Sequence, residues 1–150
     1  EIAMEDLKKV IKKVDVLTIN DEEARLLSDE YSLKKAAHII LEMGPKYLII
    51  KKGEHGALLF DKENTFFAPA LPLSQVYDPT GAGDTFAGGF VGHLSQCETI
   101  NWEEMKKAII VGSAMASFTV EKFGIERLME LDKKEIELRV SEFKKLVSFN

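Results

Sequence analysis

Apolar residues along the chain recur with two different spacings, and the switches between them mark out alternating helices and strands. Leu7, Val10, Ile11 and Val14 share one helical face while Lys8, Lys9, Lys12 and Lys13 occupy the other. This predicts a short amphipathic helix whose lysines form a solvated side rather than a phosphate-binding patch. The run over 15–20 is apolar, partly β-branched and too short for a helix, so it reads as a buried strand. Asn20-Asp21-Glu22-Glu23 then suits the first turn of a helix through Leu27, with a capping amide and acidic residues at the positive end. A further helix is predicted over 33–43, with Ser32 as N-cap, Gly44 at the left-handed C-terminal position and Pro45 just beyond.

A second buried strand is expected over 47–52, followed by a turn at Gly53-Glu54-His55-Gly56. The segments 57–60 and 65–68, joined by Asp61-Lys62-Glu63-Asn64, read as an antiparallel hairpin. Pro69 and Pro72 discourage further central pairing, and 73–77 is expected to form one last short strand. From Asp84 the pattern becomes helical and rich in small residues up to about Gln96. Asn101 and Glu104 have the spacing of a cap and its returning carboxylate, opening a helix through Ala108, Ile109, Gly112, Ala116 and Phe118. Asp132 and Glu135 repeat that device before a last amphipathic helix built on Ile136, Val140, Phe143 and Val147. The alternation predicts an α/β fold with a mostly parallel sheet flanked by helices and a β-hairpin at its edge.

Composition narrows the class. With 45% hydrophobic and 30% charged residues in 150, one compact domain over residues 1–150 is expected. A net charge of -5 and an isoelectric point near 5.3 provide no basic field for nucleic acid or anionic lipid. No stretch has the roughly 18–20 consecutive apolar residues of a membrane helix, so a cytoplasmic protein without a membrane partner is expected. Cys97 is the only cysteine, which excludes an internal disulfide; it reads as a helix-packing residue. His38, His55 and His93 read as too scattered, without carboxylate or cysteine partners at useful spacing, to hold a metal. Trp102 likewise reads as a packing residue.

The chemistry concentrates in Asp78-Pro79-Thr80-Gly81-Ala82-Gly83-Asp84-Thr85-Phe86. Gly81 and Gly83 let the chain turn sharply, bringing backbone N–H groups to a ligand at the mouth of the next helix. Unpaired N–H groups and the helix dipole together suit a phosphate, and Asp84 stands where it can take a proton beside it. The plainer reading is a tight turn with Asp84 as N-cap. Neither the Walker phosphate loop nor the dinucleotide fingerprint is present, since no Gly-Lys-Ser/Thr follows and Phe86 stands where a third glycine is required.

From Asp78 to Phe90 the sequence resembles the C-terminal signature of the ribokinase-like (PfkB) family, with Pro79 at a position often Thr or Ser. The resemblance implies ATP-dependent phosphoryl transfer to an alcohol group of a sugar or nucleoside. Gly81, Ala82 and Gly83 would form the anion hole, and Asp84 would be the catalytic base. Asn20 and Glu23 match the family's Asn-x-x-Glu, which helps organise Mg²⁺ and its waters, with Glu23 acting indirectly; alone, the pair would be only a helix cap. Lys52, Gly53 and Gly56 match the turn that borders the nucleotide, although a solvated strand end serves as well for the lysine. Ala108, Gly112, Ala116 and Gly124 match the helix and loop lining the adenine pocket, and would serve equally as close-packing positions. Asp78 and the Phe123-Gly124 region match a site for a monovalent cation such as K⁺.

The resemblance covers most of residues 14–125 but only the C-terminal half of the family's usual length. A start at Glu1, running straight into helical spacing, is consistent with an absent N-terminal half and lid, where acceptor residues are expected. The chain alone is therefore expected to be inactive, and exposed sheet edge and apolar surface to favour a homodimer. The alternative from another class is a non-catalytic nucleotide-binding or dimerisation module derived from the same fold.

Overall fold

A computed structural model describes residues 2–148. They divide into two compact units, the first formed by residues up to 53 with 57–67, the second by 54–56 and everything from 68 onward.

In the first unit, α1 (Ile2–Ile11) leads to β1 (Val16–Asn20), α2 (Asp21–Ser28), α3 (Leu33–Glu42) and β2 (Tyr47–Lys51). A 3₁₀ turn at Gly53–His55 precedes the hairpin strands β3 (Ala57–Phe60) and β4 (Thr65–Ala68). The sheet order is β1-β2-β3-β4. Strands β1 and β2 are parallel, from Val16 opposite Tyr47 to Asn20 opposite Lys51. The crossover through α2 and α3 gives the chain length that a parallel return requires. The short 52–56 link is too brief for that, so β3 runs antiparallel to β2, with Leu48 opposite Phe60 and Lys51 opposite Ala57. The expected α/β architecture is present, and its sheet is mixed.

Leu48, Ile50 and Phe60 from the strands pack with Ala24 and Leu27 of α2 and with Ala37, Ile40 and Leu41 of α3. Fully burying each large apolar side chain is worth about 1.5–3 kcal/mol. Only part of the apolar face expected on α1 joins this core. Ile11 is 1% exposed, whereas Leu7 and Val10 are 44% and 57% exposed. Met4 packs with Ile11 against the core because seven residues bring them nearly back to one side, leaving Val10 about 100° away around the helix. The four lysines of α1 and its following turn are exposed, as the solvated reading requires.

The second unit contains α4 (Ala82–Leu94), α5 (Trp102–Thr119), the short α6 (Glu126–Met129) and α7 (Lys133–Val147). The strand expected over 73–77 does not form. Tyr77 N–H donates to the Val120 carbonyl at 2.8 Å instead of to a ladder, and Val76 and Tyr77 stay exposed. Apolar character there marks a loop contact, not a pleated one: the Tyr77 ring meets Phe123 edge-on at 6.2 Å.

Helix α5 runs back along α4. Phe86 and Phe90 of α4 are buried and their rings stack with centroids 6.2 Å apart, while Met105, Ala108 and Ile109 of α5 are fully buried. A Cβ at Gly112 would lie 2.7 Å from the Phe86 carbonyl oxygen, so the helices meet there backbone to side chain. Two arginines lie over Phe118 at the C-terminal end of α5, Arg127 at 4.9 Å and Arg139 at 3.9 Å from the ring centroid. Arg139 also donates to Ser117 Oγ at 2.7 Å and Glu121 Oε1 at 2.6 Å; Arg127 donates to Glu121 Oε2 at 3.2 Å and Glu135 Oε1 at 2.6 Å.

The Arg127 guanidinium, and secondarily the Asp132 N–H, hold the Glu135 carboxyl below the ordinary carboxylate range. A carboxyl depressed in the folded state adds stability above its unfolded value of about 4.3, and that contribution is lost as the pH falls toward the folded value. Glu135→Gln is therefore expected to lower the urea midpoint at neutral pH, with the gap to the native chain closing steadily below about pH 4.3. Urea titrations across the acid range check this, and a gap independent of pH would show that the pair contributes nothing through titration.

Candidate functional site

The glycine-rich segment folds as a tight turn opening directly into α4. Asp78 Oδ1 accepts the Thr80 N–H at 2.9 Å, and that bond, first among its causes, draws the Asp78 carboxyl below its usual range. The Pro79 carbonyl accepts the Ala82 N–H at 3.2 Å. Gly81 then takes φ 81° and ψ -5°, a left-handed conformation costing most residues about 1–2 kcal/mol and glycine almost nothing. A Cβ placed there meets nothing within 4 Å, so the dihedral alone calls for glycine. The Gly81 carbonyl accepts both the Thr85 N–H and the Thr85 hydroxyl, each at 2.9 Å, which pins the first turn.

Gly81 is the N-cap, so Asp84 is the third residue inside the helix and not its cap. The Gly83 and Asp84 N–H groups precede the first intrahelical acceptor and find no other among the described residues. Both residues are exposed, and the Asp84 carboxylate makes no hydrogen bond or ion pair among the described residues. A free acidic group thus stands beside free amide donors at the positive end of a helix.

The other predicted positions are placed as follows. Asn20 Oδ1 accepts the Glu23 N–H at 2.7 Å and Glu23 Oε2 accepts the Asn20 N–H at 2.8 Å, a reciprocal cap that does not use Glu23 Oε1. The β1/β2 register sets Asn20 opposite Lys51, so Asn20, Lys52 and Gly53 lie at the C-terminal ends of neighbouring parallel strands, where open α/β sheets bind ligands. Gly56 has φ 87° and backs onto the Ala68 carbonyl. Ala108 and Gly112 are buried along α4, Ala116 is half-buried, and Gly124 is exposed with φ 58°. Through the Tyr77 N–H to Val120 bond, the 77–78 segment and the loop carrying Phe123 and Gly124 are tied together.

One cluster contradicts the sequence reading. His93, set aside as lacking partners, has its Nε2 3.0 Å from Glu104 Oε2, and Cys97 Sγ donates to the same oxygen at 3.3 Å. The signal was available: Cys97 follows His93 by four residues, one helical turn. Glu104 comes from α5, and only packing of the two helices brings it in. Its carboxyl is brought down to about 2, chiefly by Lys107 Nζ at 2.7 Å from Oε1, then by His93 and Cys97. Burial, and then Glu104, push the Cys97 thiol up.

A match to the pfkB family carbohydrate kinase profile extends over residues 1–131. The chain belongs to that family. Among pfkB relatives it is 32% identical over 120 residues to the cytidine kinase of Thermococcus kodakarensis, covering 79% of this chain and 41% of that protein. It is 30% identical over 128 residues to the ribokinase of Staphylococcus aureus, covering 82% and 40%. The crystal structure of aminoimidazole riboside kinase from Salmonella enterica, complexed with aminoimidazole riboside and an ATP analogue, superposes with a TM-score of 0.79 at 26% identity, covering 93% of this chain and 46% of that one. The chain thus spans less than half the length of these pfkB kinases. No helix among the described residues is long and apolar enough to cross a membrane.

Proposed function

We propose that this chain carries the phosphoryl-transfer portion of an ATP-dependent kinase acting on an alcohol group of a sugar or nucleoside. The observation that carries the reading is the Asp84 carboxylate at the start of α4, which like the Gly83 and Asp84 amides has no partner among the described residues. Kinship with sugar and nucleoside kinases supports the substrate class.

In this mechanism ATP would supply the phosphoryl group, and Mg²⁺, when bound, would shield its charge. Asp84 accepts the proton of the acceptor hydroxyl as that oxygen becomes the nucleophile. Of the anion hole that the resemblance implies at Gly81, Ala82 and Gly83, the Ala82 N–H is taken by the Pro79 carbonyl, so the Gly83 amide, joined by that of Asp84, would stabilise charge on the group in flight. Glu23, whose Oε1 takes no part in the cap, would help order the metal's waters, with Asn20 fixing that carboxylate. Lys52 and Gly53 would border the phosphates, with Gly56 in the same turn, and Ala116 and Gly124 would lie toward the adenine, backed by Ala108 and Gly112 in their buried packing against α4. Asp78 would hold a monovalent cation with carbonyls of the 123–124 loop.

The test is a coupled ADP-release assay of the full-length protein against a panel of sugars and nucleosides. At least one acceptor should stimulate ADP release, while residues 1–150 alone should show none above the blank. Release that no alcohol acceptor stimulates would count against the kinase reading.

A further inference from the structure

Glu104 departs from the rule its neighbours follow. In α2 and α7 the carboxylate at the third helical position returns to the cap residue's N–H, Glu23 to Asn20 at 2.8 Å and Glu135 to Asp132 at 3.4 Å. In α5 the Asn101 side chain caps the Glu104 N–H at 3.0 Å, but the Glu104 carboxylate turns away from the cap. It reaches across to the last turn of α4 and the residues just beyond, where His93 and Cys97 meet it. One nitrogen, one sulfur and one oxygen lie within 4.8 Å of one another at an open depression of about 340 Å³.

We infer that His93 Nε2, Cys97 Sγ and Glu104 Oε2 form a three-ligand site for a borderline divalent transition metal of the zinc class, with water completing a tetrahedron. Around such an ion, donor atoms about 2.0–2.3 Å from the metal stand roughly 3.3–3.5 Å apart along the tetrahedron's edges. The two separations to Glu104, 3.0 Å and 3.3 Å, are already near those values.

The donor set also selects the metal. Mg²⁺ and Ca²⁺ want oxygen ligands only, whereas a thiolate, an imidazole and one carboxylate favour zinc or its spectroscopic surrogate cobalt. Binding breaks the Cys97 S–H bond and forms a metal–sulfur bond, with the proton passing to solvent. Lys107, bonded to Oε1, holds the carboxylate with Oε2 turned toward the other two donors. His93, Cys97 and Glu104 all line the depression, from which a water would reach the fourth position.

Cobalt titration of the metal-stripped chain tests this, because Cys97 is the only cysteine and a sulfur-to-cobalt charge-transfer band reports on it alone. The band should saturate at one cobalt per chain with the native mass unchanged, and zinc should abolish it. Cys97→Ser should remove the band, and His93→Ala or Glu104→Gln should each weaken binding at least about tenfold. Zinc should raise the melting temperature of the native chain and leave that of Cys97→Ser where it was, which separates binding from misfolding. No band at millimolar cobalt, unchanged affinity in the histidine and glutamate variants, or one metal shared by two chains would each overturn the assignment.

Discussion

In a full-length kinase carrying this segment, Asp84→Asn is expected to lower kcat by about 10² to 10⁴ while ATP affinity stays nearly constant. That loss corresponds to roughly 3–5.5 kcal/mol of transition-state stabilisation, the usual contribution of a positioned general base. The amide isostere keeps the shape of the turn and leaves the Gly83 and Asp84 N–H donors in place, so nucleotide binding should survive. Stability should barely change. Asp84 makes no side-chain bond among the described residues, and its interaction with the helix dipole is worth only about 0.3–1 kcal/mol at an exposed site. A fall in activity therefore cannot be assigned to unfolding. Steady-state kinetics together with ATP binding by calorimetry would decide the matter. An unchanged kcat would remove Asp84 from the mechanism, and native protein that binds ATP without turning it over with any acceptor would favour a non-catalytic module.

Gly56→Ala should be the most destabilising of the simple substitutions in the turn after β2. Two independent penalties coincide there. Its φ of 87° already costs an L-residue about 1–2 kcal/mol. In addition, a Cβ would lie 2.1 Å from the Ala68 carbonyl oxygen and 2.9 Å from the Ala70 nitrogen, and neither backbone atom can rotate away as a side chain would. The chain must shift where β4 ends, and a total loss of about 3–5 kcal/mol is expected. Gly53→Ala supplies the control. Its φ of 56° is also positive, yet a Cβ there meets nothing within 4 Å, so only the dihedral cost applies, about 1–2 kcal/mol. Urea unfolding of both variants separates crowding from conformation; equal losses would show that the close approach to Ala68 has no energetic weight.

Much of this architecture could be read from the sequence because the deciding forces are local. Asn20, Asn101 and Asp132 each announce a helix by a cap whose side chain takes the N–H three residues on, and all three do so in the structure. The β-branched runs became β1 and β2, and Asp61, accepting from the Glu63 and Asn64 N–H groups, closes the expected hairpin. What escaped was set by partners distant in sequence. Val76 and Tyr77 have the spacing of a strand, but the Tyr77 N–H bonds to the Val120 carbonyl instead of to a ladder. The parallel β1/β2 pair and the edge hairpin are as expected, and the short 52–56 link makes β3 run antiparallel to β2.

The glycine-rich turn was legible as a turn and as a helix start, but not to the residue. Periodicity began the helix at Asp84, whereas the left-handed Gly81 begins it at Ala82 and so moves Asp84 from a capping position to an interior one. Backbone dihedrals leave no trace in hydropathy. Of the His93, Cys97 and Glu104 cluster, the spacing of His93 and Cys97 was legible, whereas Glu104 depends on α5 returning along α4.

The setting of Cys97 governs how the protein ages in air. Its proton is held by partial burial and by the anionic Glu104, so little thiolate is available to attack a disulfide, a peroxide or an alkylating dye. Preparations without reductant should stay free of cross-linked species far longer than a fully exposed thiol would allow, and maleimide uptake should be slow until the clasp between the helices loosens. Labelling kinetics at this position therefore become a gauge of how tightly that corner is closed.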